Sequence, residues 1–464
     1  MSDLKTIMPR YDSYKDSGVE WIGEIPGHWK LFSFRYQIAV LTDYTANGSF
    51  ANLAQNVTYL DTPSYSRLIR LTDLRSNLMN DGVYVDKEAH NYLKKSGLTG
   101  GELLIANVGA YAGLACIMPK VGIPATLGPN MFLIKLKKRS IFTNYIHYLI
   151  NSKLYWRYIQ IVAQSSAQPK LNKDDIRKLP VVFPFLKEQT TIANFLDCKT
   201  AKIDQAVAIK EKQIQLLKER KQILIQDAVT KGLDPDVPMK DSGVEWIGEI
   251  PKHWNIKRLR LIGNTQNGIS AGAEFFGSGY PFVSYSDVYN NRELPNLVKG
   301  LAKSSIQDRI QYSVKKGDVL FTRTSETVEE IGFTSVCMNT IKDSTFAGFL
   351  IRFRPKQGVL NPGFSKYYFS SNIHRSYFVR EMNLVTRASL SQELLKNLPV
   401  VLPPYKEQLA VYNFIQTQSA KIDKAITIQE KMIEKLKEYK ATLINSAVTG
   451  KIKVPGAGED KAVA

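Results

Sequence analysis

Two stretches of the 464-residue chain are near-copies of two others, and this duplication limits the fold more than any other feature. Residues 15–29 read KDSGVEWIGEIPGHW and residues 240–254 read KDSGVEWIGEIPKHW, so one position in fifteen differs, at an offset of 225. Residues 179–230 and 398–449 align without a gap over 52 positions, about half of them identical, at an offset of 219. The order is short block, variable segment, long block, twice over. Self-similarity of this kind predicts one structural unit built twice.

The variable segments, 30–178 and 255–397, share a skeleton although their residues diverge. LIRLTD at 68–73 resembles FVSYSD at 282–287, GELLI at 101–105 resembles GDVLF at 317–321, and MFLIKL at 131–136 resembles FLIRF at 349–353. Short apolar or alternating runs bounded by Gly, Asn and Asp read as strands. Each segment then closes in aromatic-rich helical text, around Tyr145 and Tyr155 in the first and Tyr367 and Tyr377 in the second. The expected class is α+β: two tandem, mostly-β α+β domains, each followed by a long helix.

The long blocks predict those helices. From Glu188 and Glu407 onward they are rich in Lys, Glu, Gln, Ile and Leu, with no Pro or Gly before Gly232 and Gly450. At about 40 residues and 1.5 Å rise, each helix is roughly 60 Å long. Steps of four and three pick out Ile203, Val207, Ile214, Leu217 and Leu224, and in the second copy Ile422, Ile426, Ile433, Leu436 and Leu443. Polar residues interrupt both stripes at matching places, Lys210 with Gln429 and Lys221 with Lys440. This is the coiled-coil period, and it predicts two helices packed antiparallel with pseudo-twofold symmetry. The expected boundaries are 1–185 for the first domain, 186–232 for its helix, 233–404 for the second domain, 405–452 for its helix and 453–464 for a flexible tail.

A net charge of +19 favours a polyanionic partner, nucleic acid before membrane. Three cysteines, Cys116, Cys198 and Cys337, are too few and too scattered for a disulfide framework or zinc site, which points to a reducing, cytoplasmic setting. The N-terminal text is polar, unlike a signal peptide. The uncharged run at 103–119 holds two glycines, an Asn and a terminal Pro, and reads as buried strands around a glycine turn rather than a membrane span.

The duplicated VEWIGEIPxHW segments, the duplicated LPVVxPxxKEQ segments with AKID-containing helices, and the two divergent domains between them resemble the specificity subunit of type I DNA restriction–modification enzymes. The resemblance covers nearly the whole chain. It implies two target recognition domains, each reading half of a split double-stranded DNA sequence, with the helices as fixed spacer. It also implies docking of two adenine-N6 methyltransferase subunits and, through them, of restriction subunits with motor and nuclease activity. S-adenosylmethionine is then expected in the partner and no cofactor in this chain. Two readers on one face of B-DNA sit roughly 10 bp apart. Half-sites of about 3–5 bp around a gap of roughly 5–8 bp follow from several base-edge contacts per domain.

An enzyme reading finds little support. Phe275-Phe-Gly-Ser-Gly279 matches a methyltransferase cofactor pattern, but strand-like text follows it where a helix should open, so a turn is expected. Leu402-Pro-Pro-Tyr405 is similar to the adenine-flipping loop of methyltransferases, yet Leu402 lacks the acceptor that would hold an adenine amino group. Walker A, GxSxG, HExxH and paired CxxC motifs do not occur. His28 and His253 occupy equivalent places in the repeats, where a structural role beside the buried Trp29 and Trp254 is expected.

Base readers are Arg, Lys, Asn, Gln, Ser or Thr near strand ends and loops. In the second domain the candidates are Ser284, Tyr285, Arg323, Thr324 and Arg387. In the first they are Arg67, Arg70, Asn107, Tyr111, Gln168 and Lys170, with Asn107 and Tyr111 at the place equivalent to Arg323. No catalytic or metal-ligating residue is assigned. The alternative to the specificity subunit is a freestanding bivalent DNA-binding protein with no enzyme partner. A nuclease with scattered carboxylates and a coiled-coil scaffold without DNA are the remaining readings.

Overall fold

The computed structural model describes residues 8–164, 168–325, 331–374, 377–378 and 388–457. The chain forms two compact units, one of residues 1–210 with 431–464, the other of residues 211–430. The units therefore do not follow the linear order of the repeat: each takes one variable domain and half of each long helix.

In the first unit an antiparallel hairpin, Tyr14–Asp16 with Glu24–Pro26, opens the chain. Lys30–Ser33 then pairs antiparallel with Pro180–Phe183, which brings the start of the variable domain beside its end. Between them lies a four-stranded sheet in the order Ile38–Asp43, Met131–Leu136, Leu103–Ala106, Ala115–Ile117. A second sheet runs Tyr84–Val85, Ser66–Ile69, Ala125–Leu127, Gly97–Leu98, with Ser66–Ile69 and Ala125–Leu127 parallel. The uncharged run at 103–119 forms the buried strands Leu103–Ala106 and Ala115–Ile117 and the turn between them. Gly113 sits there at φ +96°, and a Cβ on it would lie 2.3 Å from the Ile159 side chain. Among the described residues no helix is long and apolar enough to cross a membrane.

The second unit repeats the plan. Met239–Asp241 pairs with Glu249–Pro251, and Asn255–Arg258 with Pro399–Leu402. Its four-stranded sheet runs Gly263–Asn267, Leu350–Pro355, Val319–Thr322, Thr334–Val336. Its smaller sheet has Gly300–Ala302, Phe276–Val283 and Thr345–Phe346, again with one parallel pair. The three short matches read between the variable segments thus fall on equivalent strands. One local expectation is corrected: the FFGSG text is a bulge inside Phe276–Val283, not a turn, because Phe276 and Tyr280 both face Ala302 across the strand pair.

Leu186–Lys231 and Tyr405–Val448 are helices of 46 and 44 residues. Both lack interior Gly and Pro, and a glycine at positive φ follows each, Gly232 (+80°) and Gly450 (+72°). Ile203, Ile422, Ile426, Ile433 and Leu443 are buried, and Val207, Ile214, Leu217, Leu224 and Leu436 are half-buried, so the stripes face inward. Within the first unit Lys440 Nζ reaches both oxygens of Asp204 at 2.7 Å. Within the second Lys221 reaches Asp423 at 2.8 and 2.7 Å. Low residue numbers meet high ones, so the helices run antiparallel, and the 219-residue offset exchanges one ion pair for the other. Lys221 and Lys440, two of the four polar breaks in the stripes, thus each face an aspartate of the opposite helix.

The repeated Lys-Glu-Gln explains how each domain is pinned to its helix. Glu188 Oε1 accepts the Tyr11 hydroxyl at 2.7 Å and Trp29 Nε1 at 3.1 Å, and its Oε2 lies 2.8 Å from His28 Nε2. Glu407 accepts Trp254 Nε1 at 2.8 Å and lies 2.9 Å from His253 Nε2. Gln189 donates to the carbonyls of Ser140 and Pro184 and accepts the Phe142 N–H. Gln408 does the same with Val359, Pro403 and Asn361. Both tryptophans are fully buried, while His28 and His253 keep part of their side chains exposed.

The expected flexible tail is corrected over its first residues. Ile452, Val454 and Ala457 are at most 1% exposed in the core of the first unit, and Lys453 N–H donates to Pro9 O at 2.8 Å. The apolar residues spaced along this short segment carry it onto that core. Residues 458–464 lie outside the described residues.

Candidate nucleic-acid interface

In the first unit the strand Leu103–Ala106 runs into a loop stitched to the segment before the helix Lys173–Lys178. Asn107 N–H donates to Asn130 O, Leu171 N–H donates to Asn107 O, and Gly109 N–H donates to Pro169 O. Val108 pairs with Lys170 as an isolated antiparallel bridge. Four of the expected readers, Asn107, Tyr111, Gln168 and Lys170, are thereby brought together from two distant parts of the chain. Gln168 and Lys170 are exposed, and so is Tyr111. The Asn107 Oδ1 is buried without a hydrogen-bond partner.

Arg75 joins this group without having been foreseen. Its guanidinium lies 4.1 Å over the Tyr111 ring, and the residue is exposed at the end of the short helix Leu71–Arg75. The stack adds a cation to the loop face. Arg75 and Tyr111 are far apart in sequence, and no local pattern relates them.

The two other arginines are differently placed. Arg67 is corrected as a reader: it is 9% exposed, and its guanidinium donates to Leu78 O, Asn80 O and Asn80 Oδ1, all within its own domain. Arg70 grips Asp73 through Nε and Nη2 at 3.1 and 3.0 Å. Burial pushes the Asp73 carboxyl up, but hydrogen bonds from Arg70 and Asn80 outweigh it and hold the group below the ordinary aspartate range. Asp73 also accepts the Arg70 N–H and so caps the helix.

The second unit has the same frame with other side chains. Arg323 N–H donates to Phe349 O and Leu390 N–H donates to Arg323 O, the two bonds that Asn107 makes in the first unit. Thr324–Ser325 pairs antiparallel with Ala388–Ser389, where the first unit has the bridge to Lys170. Arg323 and Thr324 are half-buried. The Tyr285 hydroxyl donates to Thr324 O at 3.0 Å, which ties the short helix Tyr285–Tyr289 to this loop. Ser284 caps that helix, its hydroxyl accepting the Asp287 N–H while Asp287 accepts the Ser284 N–H. Arg70 and Ser284 thus hold equivalent capping positions. Arg387 lies outside the described residues.

Among the described residues no group of three His, Cys, Asp or Glu is placed to hold a metal. All three cysteines are free. Burial, and after it the Asp318 carboxylate, pushes the Cys337 thiol up to about 12.

Two α+β domains of one plan, each presenting a divergent loop pair and each anchored on halves of two long helices, define a class of tandem recognition proteins. The chain matches the family described as type I restriction modification DNA specificity domain over residues 52–219 and again over 251–438, and it belongs to that family. It is 24% identical over 453 residues to the putative type I restriction enzyme MjaX specificity subunit of Methanocaldococcus jannaschii, covering 93% of this chain and 96% of that one. It is 25% identical over 383 residues, 80% of this chain and 78% of the other, to the type I restriction enzyme EcoKI specificity subunit of Escherichia coli. The HsdS subunit from Thermoanaerobacter tengcongensis shares the fold at a TM-score of 0.56 and 14% identity, over 92% of this chain and 98% of that one. A chain from a structure described as "Structural basis underlying complex assembly and conformational transition of the type I R-M system" does so at a TM-score of 0.65 and 15% identity, over 91% and 98%. The chain is a type I restriction–modification specificity subunit with two DNA-recognition domains.

Proposed function

We propose that this chain is the noncatalytic reader of a bipartite, asymmetric DNA target, with each domain reading one half-site through its loop pair. The observation that carries the reading is the equivalence of Asn107 and Arg323: the same two backbone hydrogen bonds hold an amide in one unit and a guanidinium in the other. An amide favours adenine and a guanidinium favours guanine in the major groove, so one frame with two side chains suits two different half-sites. Tyr111, Gln168, Lys170 and Arg75 serve the first half-site, and Arg323, Thr324 and Tyr285 the second. Other lysines meet phosphates and position the protein. The antiparallel helices act as the spacer that fixes the gap and as the docking surface for two adenine-N6 methyltransferase subunits, through which restriction subunits join. S-adenosylmethionine belongs to the methyltransferase, and the chain alone binds DNA weakly.

The test is strand-resolved adenine methylation across a genome after coexpression with the neighbouring methyltransferase. The expected result is a split motif with one methylated adenine on each strand and a fixed gap, and replacing residues 30–178 by another variable domain changes only one half of it. Methylation by the purified chain alone would refute the reading. A stable complex with the methyltransferase that yields no new methylation would also refute it.

A further inference from the structure

The two Glu corners differ in one partner. In the first unit Tyr11 is 7% exposed and packs between His28 and Trp29, with ring centroids 5.6 and 5.7 Å away. Its hydroxyl donates to Glu188 Oε1, which therefore takes two donors. Burial, and after it the charge and hydrogen bond of Glu188, raise the Tyr11 pKa far above the ordinary tyrosine range, so the phenol stays protonated. The 225-residue offset places Asp236 at the position of Tyr11, and the hairpin registers agree, since Tyr14 faces Pro26 as Met239 faces Pro251. Asp236 is exposed and turned to its own backbone neighbourhood, its N–H donating to Asp234 Oδ1.

Where the first unit holds the Tyr11 ring, the second has a cavity of about 230 Å³ lined by Leu233, Val237, Pro251, His253, Glu407 and Val411. That volume is below the roughly 300–1,000 Å³ of sites for drug-sized ligands and suits a single ring. Glu188 is 4% exposed and Glu407 is 42% exposed, so the second carboxylate is open on the cavity side. The Glu407 oxygen that accepts Trp254 Nε1 has one acceptor position left, and on its counterpart that position takes the Tyr11 hydroxyl. Lys231 and Asp234 also line the cavity, one charge of each sign.

We propose that the cavity beside Glu407 receives a tyrosine side chain of a partner polypeptide, with the phenol hydroxyl donating to Glu407 as Tyr11 does to Glu188. The occupant is a polypeptide side chain because that is what the same frame holds in the first unit. The proposal goes beyond DNA recognition and does not depend on it.

The experiment titrates p-cresol, the tyrosine side-chain analogue, into the full chain carrying ¹⁵N-tryptophan and follows the indole N–H signals, assigned with Trp29→Phe and Trp254→Phe. The Trp254 signal is expected to shift saturably while that of Trp29, already covered by Tyr11, stays still. Toluene is expected to bind about tenfold more weakly, because it lacks the hydrogen bond to a charged acceptor. Asp236→Tyr is expected to abolish the response by filling the cavity from within the chain. Glu407→Gln, which keeps the shape and removes the charge, is expected to weaken it severalfold. No Trp254 shift, an equal response to toluene, or undiminished p-cresol binding in either variant overturns the proposal.

Discussion

The two units use the same Glu–Trp–His corner and bury it to different depths. Glu188 is enclosed and takes three partners, whereas Glu407 is half-exposed and takes two. The loop pairs show the reverse pattern: their backbone bonds match one for one while their side chains do not. Duplication here preserved what holds a domain to its helix and released what the domain presents. A buried carboxylate with several donors tolerates little change, since any loss strands polar groups away from water. A loop held by its own backbone bonds tolerates any side chain that keeps the strand geometry.

The largest expected effect separates the two corners. Glu188→Ala leaves the buried Trp29 Nε1 and Tyr11 hydroxyl without an acceptor and is expected to cost about 3 kcal/mol. Glu407→Ala is expected to cost about 1 kcal/mol, because water reaches that carboxylate's partners. Urea unfolding of the full chain, followed by tryptophan fluorescence, measures both, and equal losses would erase the difference drawn between the units.

A smaller effect sharpens the contrast between the loop pairs. In the assembled complex Arg323→Ala is expected to cost about 1–2 kcal/mol of DNA affinity and to relax specificity in one half-site only. Lys170→Ala is expected to relax specificity in the other half-site only. Competition binding with targets altered in one half at a time checks both. Relaxation in both halves after Arg323→Ala would break the assignment of one domain to one half-site.

The smallest effect concerns what the units have in common. The Lys440–Asp204 and Lys221–Asp423 pairs are solvent-exposed and are each worth about 0.5 kcal/mol. Lys440→Asp and Asp204→Lys are each expected to be destabilising, and their combination to recover most of the loss. The same cycle on Lys221 and Asp423 is expected to give the same coupling, and unequal couplings would show that the repeat in register is not a repeat in energy.

Much of this architecture is legible along the chain. The inward stripes of the long helices follow from steps of four and three, and their ends from Gly232 and Gly450. The equivalence of Asn107 and Arg323 could be read from matched strand text, because GELLI and GDVLF precede them at equal distance. Arg67 shows where such reading stops. Its position beside a strand end resembled that of a base reader, but the carbonyls that absorb its guanidinium come from residues 78 and 80, brought under it by a turn. Arg75 failed in the opposite direction, since its cation–π partner Tyr111 arrives through the fold alone.

By itself, then, the sequence determined the duplication, the class of each element and the register marks on the helices, because periodicity, glycine stops and repeated text are local signals. Tertiary structure decided which polar groups are consumed and which remain available. The Tyr11–Glu188 bond spans 177 residues and the Lys440–Asp204 contact 236. Likewise, the burial of Val454 and Ala457 depends on a core assembled from the other end of the chain. Interactions of that kind are set by the packing of whole elements, and the energy that selects them appears only when distant faces meet.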